Sequence, residues 1–144
     1  EVKGGYDCAR QVDIKHQVGS AWLAHAEGRH EDALRLMRAA AELDDATEKH
    51  PVTPGEVVPA RELLGDMYLE LNQFEDALRA YESDLQRHPG RFNALYGAAL
   101  AAKQQGTNDK ATTYFRHLLE LTEVSEKKRP EIAEAQNFLN RHSL

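Results

Sequence analysis

The sequence predicts an all-α protein: an α-solenoid of three stacked helix-turn-helix hairpins closed by a C-terminal capping helix, seven helices in all. Three observations predict it. Alanine and leucine recur at helical spacing along almost the whole chain, and no segment alternates apolar and polar residues as a half-buried strand would. Gly28, Asn72 and Gly106 each end one periodic run and precede a short turn and another run, an αα-hairpin pattern met three times. The chain also resembles itself at a shift of 34 residues.

Each element follows from local signals. The first helix is expected from about Asp7 to Ala26, stopped by Gly28. The second begins near His30, and "EDALRLMRAAAEL" puts Ala33, Leu34, Met37, Ala40 and Ala41 on one stripe. The third starts at Pro59 and runs to Leu71, because Val58 precedes a proline and avoids helical angles, while proline suits a first helical turn. Glu75 to Arg87, Phe92 to Gln105 and Asp109 to Thr122 are the fourth, fifth and sixth. Pro130 to Arg141 is the seventh. Its apolar face is Ile132, Ala135, Phe138 and Leu139. Glu131, Glu134, Gln136, Asn137 and Arg141 supply the polar side that a terminal helix needs.

The self-comparison places Leu64, Gly65, Tyr68, Asn72, Ala77 and Tyr81 over Ala98, Ala99, Ala102, Gly106, Ala111 and Phe115. Matching Gly28 with Asn72 needs 44 residues instead of 34. The extra length coincides with "HPVTPGEVVP", His50 to Pro59, read as an insertion at residues 48–57 between two hairpins. Small residues at Ala21, Gly65, Ala98, Ala99, Ala33, Ala77 and Ala111 mark close helix approach, and Met37, Tyr81 and Phe115 fill the gaps between neighbours.

The run "LLGDMYLELNQFEDALRAYESDLQRHP" resembles a tetratricopeptide repeat (TPR), with Leu64, Gly65, Tyr68, Ala77, Tyr81 and Pro89 matching the family pattern. The resemblance implies one TPR-like domain over residues 1–144, with units at about 14–47, 58–91 and 92–125 and a cap at 130–141. It departs at Asp84, where the family has alanine. An acid near the packing seam is expected to shift the helix or admit water. The words "AWLAHAEGRHEDAL", "HPVTPGEVVPARELLGDM" and "RFNALYGAALAA" also resemble the C-terminal tail of longer bacterial tetratricopeptide proteins of unassigned function. With Glu1 rather than methionine at the start, that favours a fragment of a longer protein.

Composition narrows the function. Charged residues are 29% and apolar residues 41% of the chain, an ordinary globular balance, and no uncharged run reaches the length of a bilayer span. The net charge is −6, without the basic patch that nucleic acid requires. The single Cys8 allows no internal disulfide. Seven histidines are scattered without a metal-binding pattern, so neither a metal nor another cofactor is expected. No nucleophile elbow or phosphate loop is present, so no catalytic residue is assigned. The cytoplasm is the default compartment.

The resemblance places the first helix of each hairpin on a concave binding face. The residues expected to point there are Lys15, Val18, Trp22 and His25, then Glu62, Asp66, Leu69 and Glu70, then Asn93, Tyr96, Leu100 and Lys103. Glu62, Asp66 and Glu70 at i, i+4, i+8 form an acidic ridge, flanked by Trp22 and Tyr96. That arrangement suits a basic peptide or protein segment through ion pairing and cation–π contact. The alternatives are a self-associating structural domain, such as a homodimer, and the accessory domain of an enzyme whose active site lies upstream. A clamp for a peptide's terminal carboxylate is not matched, since Val18, Trp22, Glu62 and Asp66 stand at its positions.

Overall fold

The computed structural model describes residues 8–47, 58–122 and 129–142. Among them are seven helices and no strand: α1 (Cys8–Ala26), α2 (His30–Asp45), α3 (Ala60–Glu70), α4 (Phe74–Arg87), α5 (Phe92–Gln104), α6 (Asn108–Thr122) and α7 (Pro130–His142). Every helix expected from the sequence is present, with ends within about one residue of the expected ones. The insertion at 48–57 lies outside the described residues, apart from Val58 and Pro59 beside it. The chain forms two compact units, residues 1–64 and 65–144.

One turn is used three times. Gly28, Asn72 and Gly106 adopt left-handed φ values of 76°, 59° and 75°. Around each, two carbonyls of the ending helix are satisfied by a Schellman pair. Arg29 N–H donates to Ala24 O at 2.9 Å and Gly28 N–H to His25 O at 3.0 Å. Gln73 and Asn72 repeat this on Tyr68 and Leu69, and Thr107 and Gly106 on Ala102 and Lys103. The next helix then opens the same way, with Ala33, Ala77 and Ala111 donating to the carbonyls of Arg29, Gln73 and Thr107. Asparagine tolerates the left-handed conformation better than other residues with a side chain, which explains Asn72 in a glycine position.

In residues 1–64, α1 packs on α2 around Ile14, Ala21, Ala24, Ala33, Leu34, Met37, Ala40 and Ala41, all buried. The last turn of α2 grips the first turn of α3. The Ala60 N–H donates to Asp44 Oδ2 at 3.0 Å, and Arg61 pairs with Asp45. Asp44 thus satisfies one of the N–H groups that a helix start leaves open.

In residues 65–144 the centre is Tyr81 of α4, fully buried. A Cβ placed on Gly65 of α3 would lie 2.6 Å from its ring, and one on Gly97 of α5 would lie 2.3 Å away. Both glycines are therefore fixed by the ring between them. The Tyr81 hydroxyl donates to Asp66 at 2.6 Å, so this large side chain is buried without stranding its polar end. Phe115 of α6 fills the next layer and meets Phe138 of α7 at 5.0 Å.

Asp84, the departure from the repeat pattern, lies in the core of this unit. It is 1% exposed, yet α4 runs unbroken to Arg87. The acid has polar company: the His88 ring N–H donates to Asp84 Oδ1 at 2.9 Å, and the Arg91 guanidinium Nε lies 4.0 Å from Oδ2. An imidazole and a guanidinium thus supply polar partners to a buried acid on an unbroken helix.

Candidate functional site

The residues expected on the binding face fall into different environments. In residues 1–64, Trp22 and His25 are half-buried on α1. Their rings meet edge to face at 5.6 Å, and His25 lies 5.1 Å from the His30 ring across the turn. Glu62 departs from the expected ridge. It is 1% exposed and sits in the first turn of α3, where the helix dipole favours a carboxylate.

In residues 65–144, Asp66 is half-buried and accepts the Tyr81 hydroxyl, so it serves the core. Leu69 is half-buried and Glu70 exposed on the next turn. Of the three ridge acids, Glu70 alone is fully at the surface. On α5, Asn93 is exposed, and Tyr96, Leu100 and Lys103 are half-exposed along the same stripe.

Two members of that stripe converge on a residue that the sequence reading left as cap polarity. Glu134 of α7 accepts the Tyr96 hydroxyl at 2.6 Å and the Lys103 ammonium at 2.8 Å. Burial alone would raise the Glu134 carboxyl, but the hydrogen bonds from Lys103 and Tyr96 outweigh it and hold the group below the usual glutamate range. Burial first, and the bond to Glu134 second, push the Tyr96 hydroxyl well above its ordinary value. The signal for this clamp was the i, i+7 spacing of Tyr96 and Lys103, which puts both on one face of a helix.

A second clamp joins α4 and α6. Glu82 accepts the Tyr114 hydroxyl at 2.7 Å and the Lys110 ammonium at 2.9 Å. Its carboxyl is also held low, burial being outweighed by the same two kinds of donor. Arg129, just before α7, stacks 4.7 Å above the Phe92 ring at the start of α5. An open cleft of about 630 Å³ runs along α7, bounded by Lys103 and Asn108 on the other side. Among the described residues no group of three or more His, Cys, Asp or Glu could hold a metal ion, and no helix is long and apolar enough to cross a membrane.

The repeated turns, the alanine-lined helix contacts and the aromatic seam define a helical-repeat protein. The tetratricopeptide repeat family model matches residues 62–126, just under half of the chain, and that segment belongs to the family. No curated protein matches the chain in sequence. Among solved structures, the TPR domain of Arabidopsis OM64 superposes with a TM-score of 0.70 at 16% identity, covering 92% of this chain and 98% of that one. The first TPR domain of Spaghetti (RPAP3), bound to the HSP90 peptide SRMEEVD, gives 0.69 at 12% identity, covering 92% and 94%. PcrH in complex with the chaperone-binding region of PopB gives 0.66 at 17% identity, covering 96% and 100%. At these identities the likeness is one of fold, an all-α TPR architecture.

Proposed function

We propose that this protein is a non-catalytic interaction module that holds a peptide or protein segment against the first-helix side of its repeats. The observation that carries this reading is the α5 stripe of Asn93, Tyr96, Leu100 and Lys103, open to solvent on a helix whose other sides are buried alanines. It combines an amide, a phenol, an aliphatic side chain and a cation already neutralised by Glu134. Such a mixture suits a segment that buries one apolar side chain and fixes its register by hydrogen bonds. The PopB and HSP90 segments held by similarly folded proteins support the class of ligand.

A basic partner is the finer reading, supported by exposed Glu70 with Leu69 beside it. Glu62 and Asp66 do not contribute, since one is buried and the other engaged by Tyr81. The test is selection from a randomised peptide library on the full chain, followed by affinity measurements. Leu100→Asp is expected to weaken the selected peptides at least several-fold while thermal stability holds. Glu70→Lys is expected to weaken those rich in lysine and arginine. Selected peptides that bind both variants as tightly as the parent would refute the site. Selection of peptides without basic residues would refute the basic partner.

A further inference from the structure

The cleft along α7 differs in charge from the rest of the chain. Its floor is Phe138, buried on the side facing Phe115, with the His142 ring stacked on it at 4.2 Å. The His142 Nδ1 bonds to the Phe138 carbonyl at 2.9 Å, which fixes the ring as a wall. Pro130 and Ala133 continue the apolar surface. Around this floor stand donors: Lys103, Asn108, Asn137 and Arg141.

Among the described residues the one carboxylate lining the cleft is Glu134, and it already accepts from Lys103 and Tyr96. Lysine carries three N–H donors, so Lys103 keeps two beyond its bond to Glu134. No carboxylate among the described residues pairs with Arg141. Among the described lining residues Lys103 and Arg141 stand against Glu134 alone, which leaves Arg141 as the uncompensated charge in a chain of net charge −6. The cleft's volume of about 630 Å³ lies in the range of ordinary ligand sites. Its walls follow α7 from Pro130 to His142.

We propose that this cleft is a second docking surface, for a short acidic peptide segment. One side-chain carboxylate is held between Arg141 and Lys103, and an apolar neighbour rests on Pro130 and Ala133, which are exposed in the cleft. Electrostatic complementarity selects the sign of the partner, and the apolar floor gives the contact area. This surface is separate from the one proposed on α5, with which it shares only Lys103. Arg141 also suits the negative end of the α7 dipole, a role that would change helix stability and leave binding alone.

The test uses the full chain and three fluorescent peptides. One is blocked at both ends and carries glutamate beside leucine. The second is its blocked glutamine counterpart, and the third is the glutamine peptide with a free terminal carboxylate. Anisotropy is expected to show binding of the first alone. Binding should weaken about two- to fivefold in Arg141→Gln, the worth of one partly exposed ion pair, and weaken further with added salt. Leu100→Ala, which puts no charge beside Lys103, is expected to leave it unchanged, which separates this surface from the α5 site. Equal binding of the blocked glutamine peptide, an unaltered affinity in Arg141→Gln, or preference for the free terminal carboxylate would each overturn the proposal.

Discussion

Glu82 and Glu134 are held by the same chemistry in different company. Each accepts a tyrosine hydroxyl and a lysine ammonium from one neighbouring helix, at 2.7 and 2.9 Å for Glu82 and 2.6 and 2.8 Å for Glu134. Glu82 sits on α4, the helix that carries Tyr81 between Gly65 and Gly97. Glu134 sits on α7, where Phe138 against Phe115 is the main buried aromatic contact. The comparison separates the strength of a contact from its consequence. On α4 the clamp adds to a seam that already fixes the helix. On α7, which buries only Ala135 and Phe138 among its described residues, it is a large part of what holds the helix to its neighbours. An element with few buried side chains is the first to loosen.

Removing each of the two aromatics should have the largest effect. Tyr81→Ala would empty the fully buried centre between two glycines that cannot fill it, and is expected to cost about 3–5 kcal/mol. Because α3, α4 and α5 all touch that ring, hydrogen exchange should accelerate across all three together. Phe138→Ala removes a ring of similar size and is expected to cost less, about 2–3 kcal/mol, because α7 can detach and cap the loss. Accelerated exchange should then be confined to α7 and the facing side of α6. If Phe138→Ala instead unfolds α3 to α6 as one unit, the ranking of centre over end is wrong.

The same contrast explains what could be read from the sequence. Helix ends were legible because Gly28, Asn72 and Gly106 are residues that the left-handed turn itself selects. Tyr81 and Gly65 were legible because an aromatic opposite a missing side chain is a packing signal within one repeat. Gly97 was not, since the 34-residue shift sets Gly65 over Ala99 and the run Gly97-Ala98-Ala99 hides which residue meets the ring. The candidate site was legible as a stripe on α5 but not as a surface. Exposure depends on what comes to lie alongside, and Tyr96 and Lys103 are engaged by Glu134 from more than 30 residues away. Glu62 looked like a ridge residue because spacing fixes the face of a helix but not the depth at which its first turn is buried.

Breaking the two clamps directly should have smaller effects. Glu82→Gln and Glu134→Gln each keep a hydrogen-bond acceptor and remove the charge, so about 1 kcal/mol or less is expected from either. The comparison is sharpened by where the loss appears. Glu134→Gln should speed amide exchange in α7 selectively, whereas Glu82→Gln should lower overall stability slightly with no element loosened first. Equal and global effects from both variants would remove the distinction.

Acid should act on the same two sites with the smallest effect per site. Both glutamates titrate below the ordinary value of 4.5, because bonds from lysine and tyrosine outweigh burial. A carboxylate held lower in the folded than in the unfolded chain stabilises the fold fully above its unfolded value. That stabilisation fades as pH falls through the lower folded value. Stability should therefore be level down to about pH 5 and decline below pH 4.5 as the clamps take up protons. Tyr96 and Tyr114 have the opposite sign. Their hydroxyls are pushed upward, so their contribution is intact below the ordinary tyrosine value of 10.0 and is lost as the solution becomes more alkaline than that. Followed by NMR of α7 amides, the acid limb should flatten in Glu134→Gln and persist in Glu82→Gln. An α7 acid limb unchanged in Glu134→Gln would show that some other carboxylate governs its docking. Among the described residues it would then have to be Glu131 of α7 itself or Asp109 or Glu120 of α6, since screening leaves little force for charges farther off.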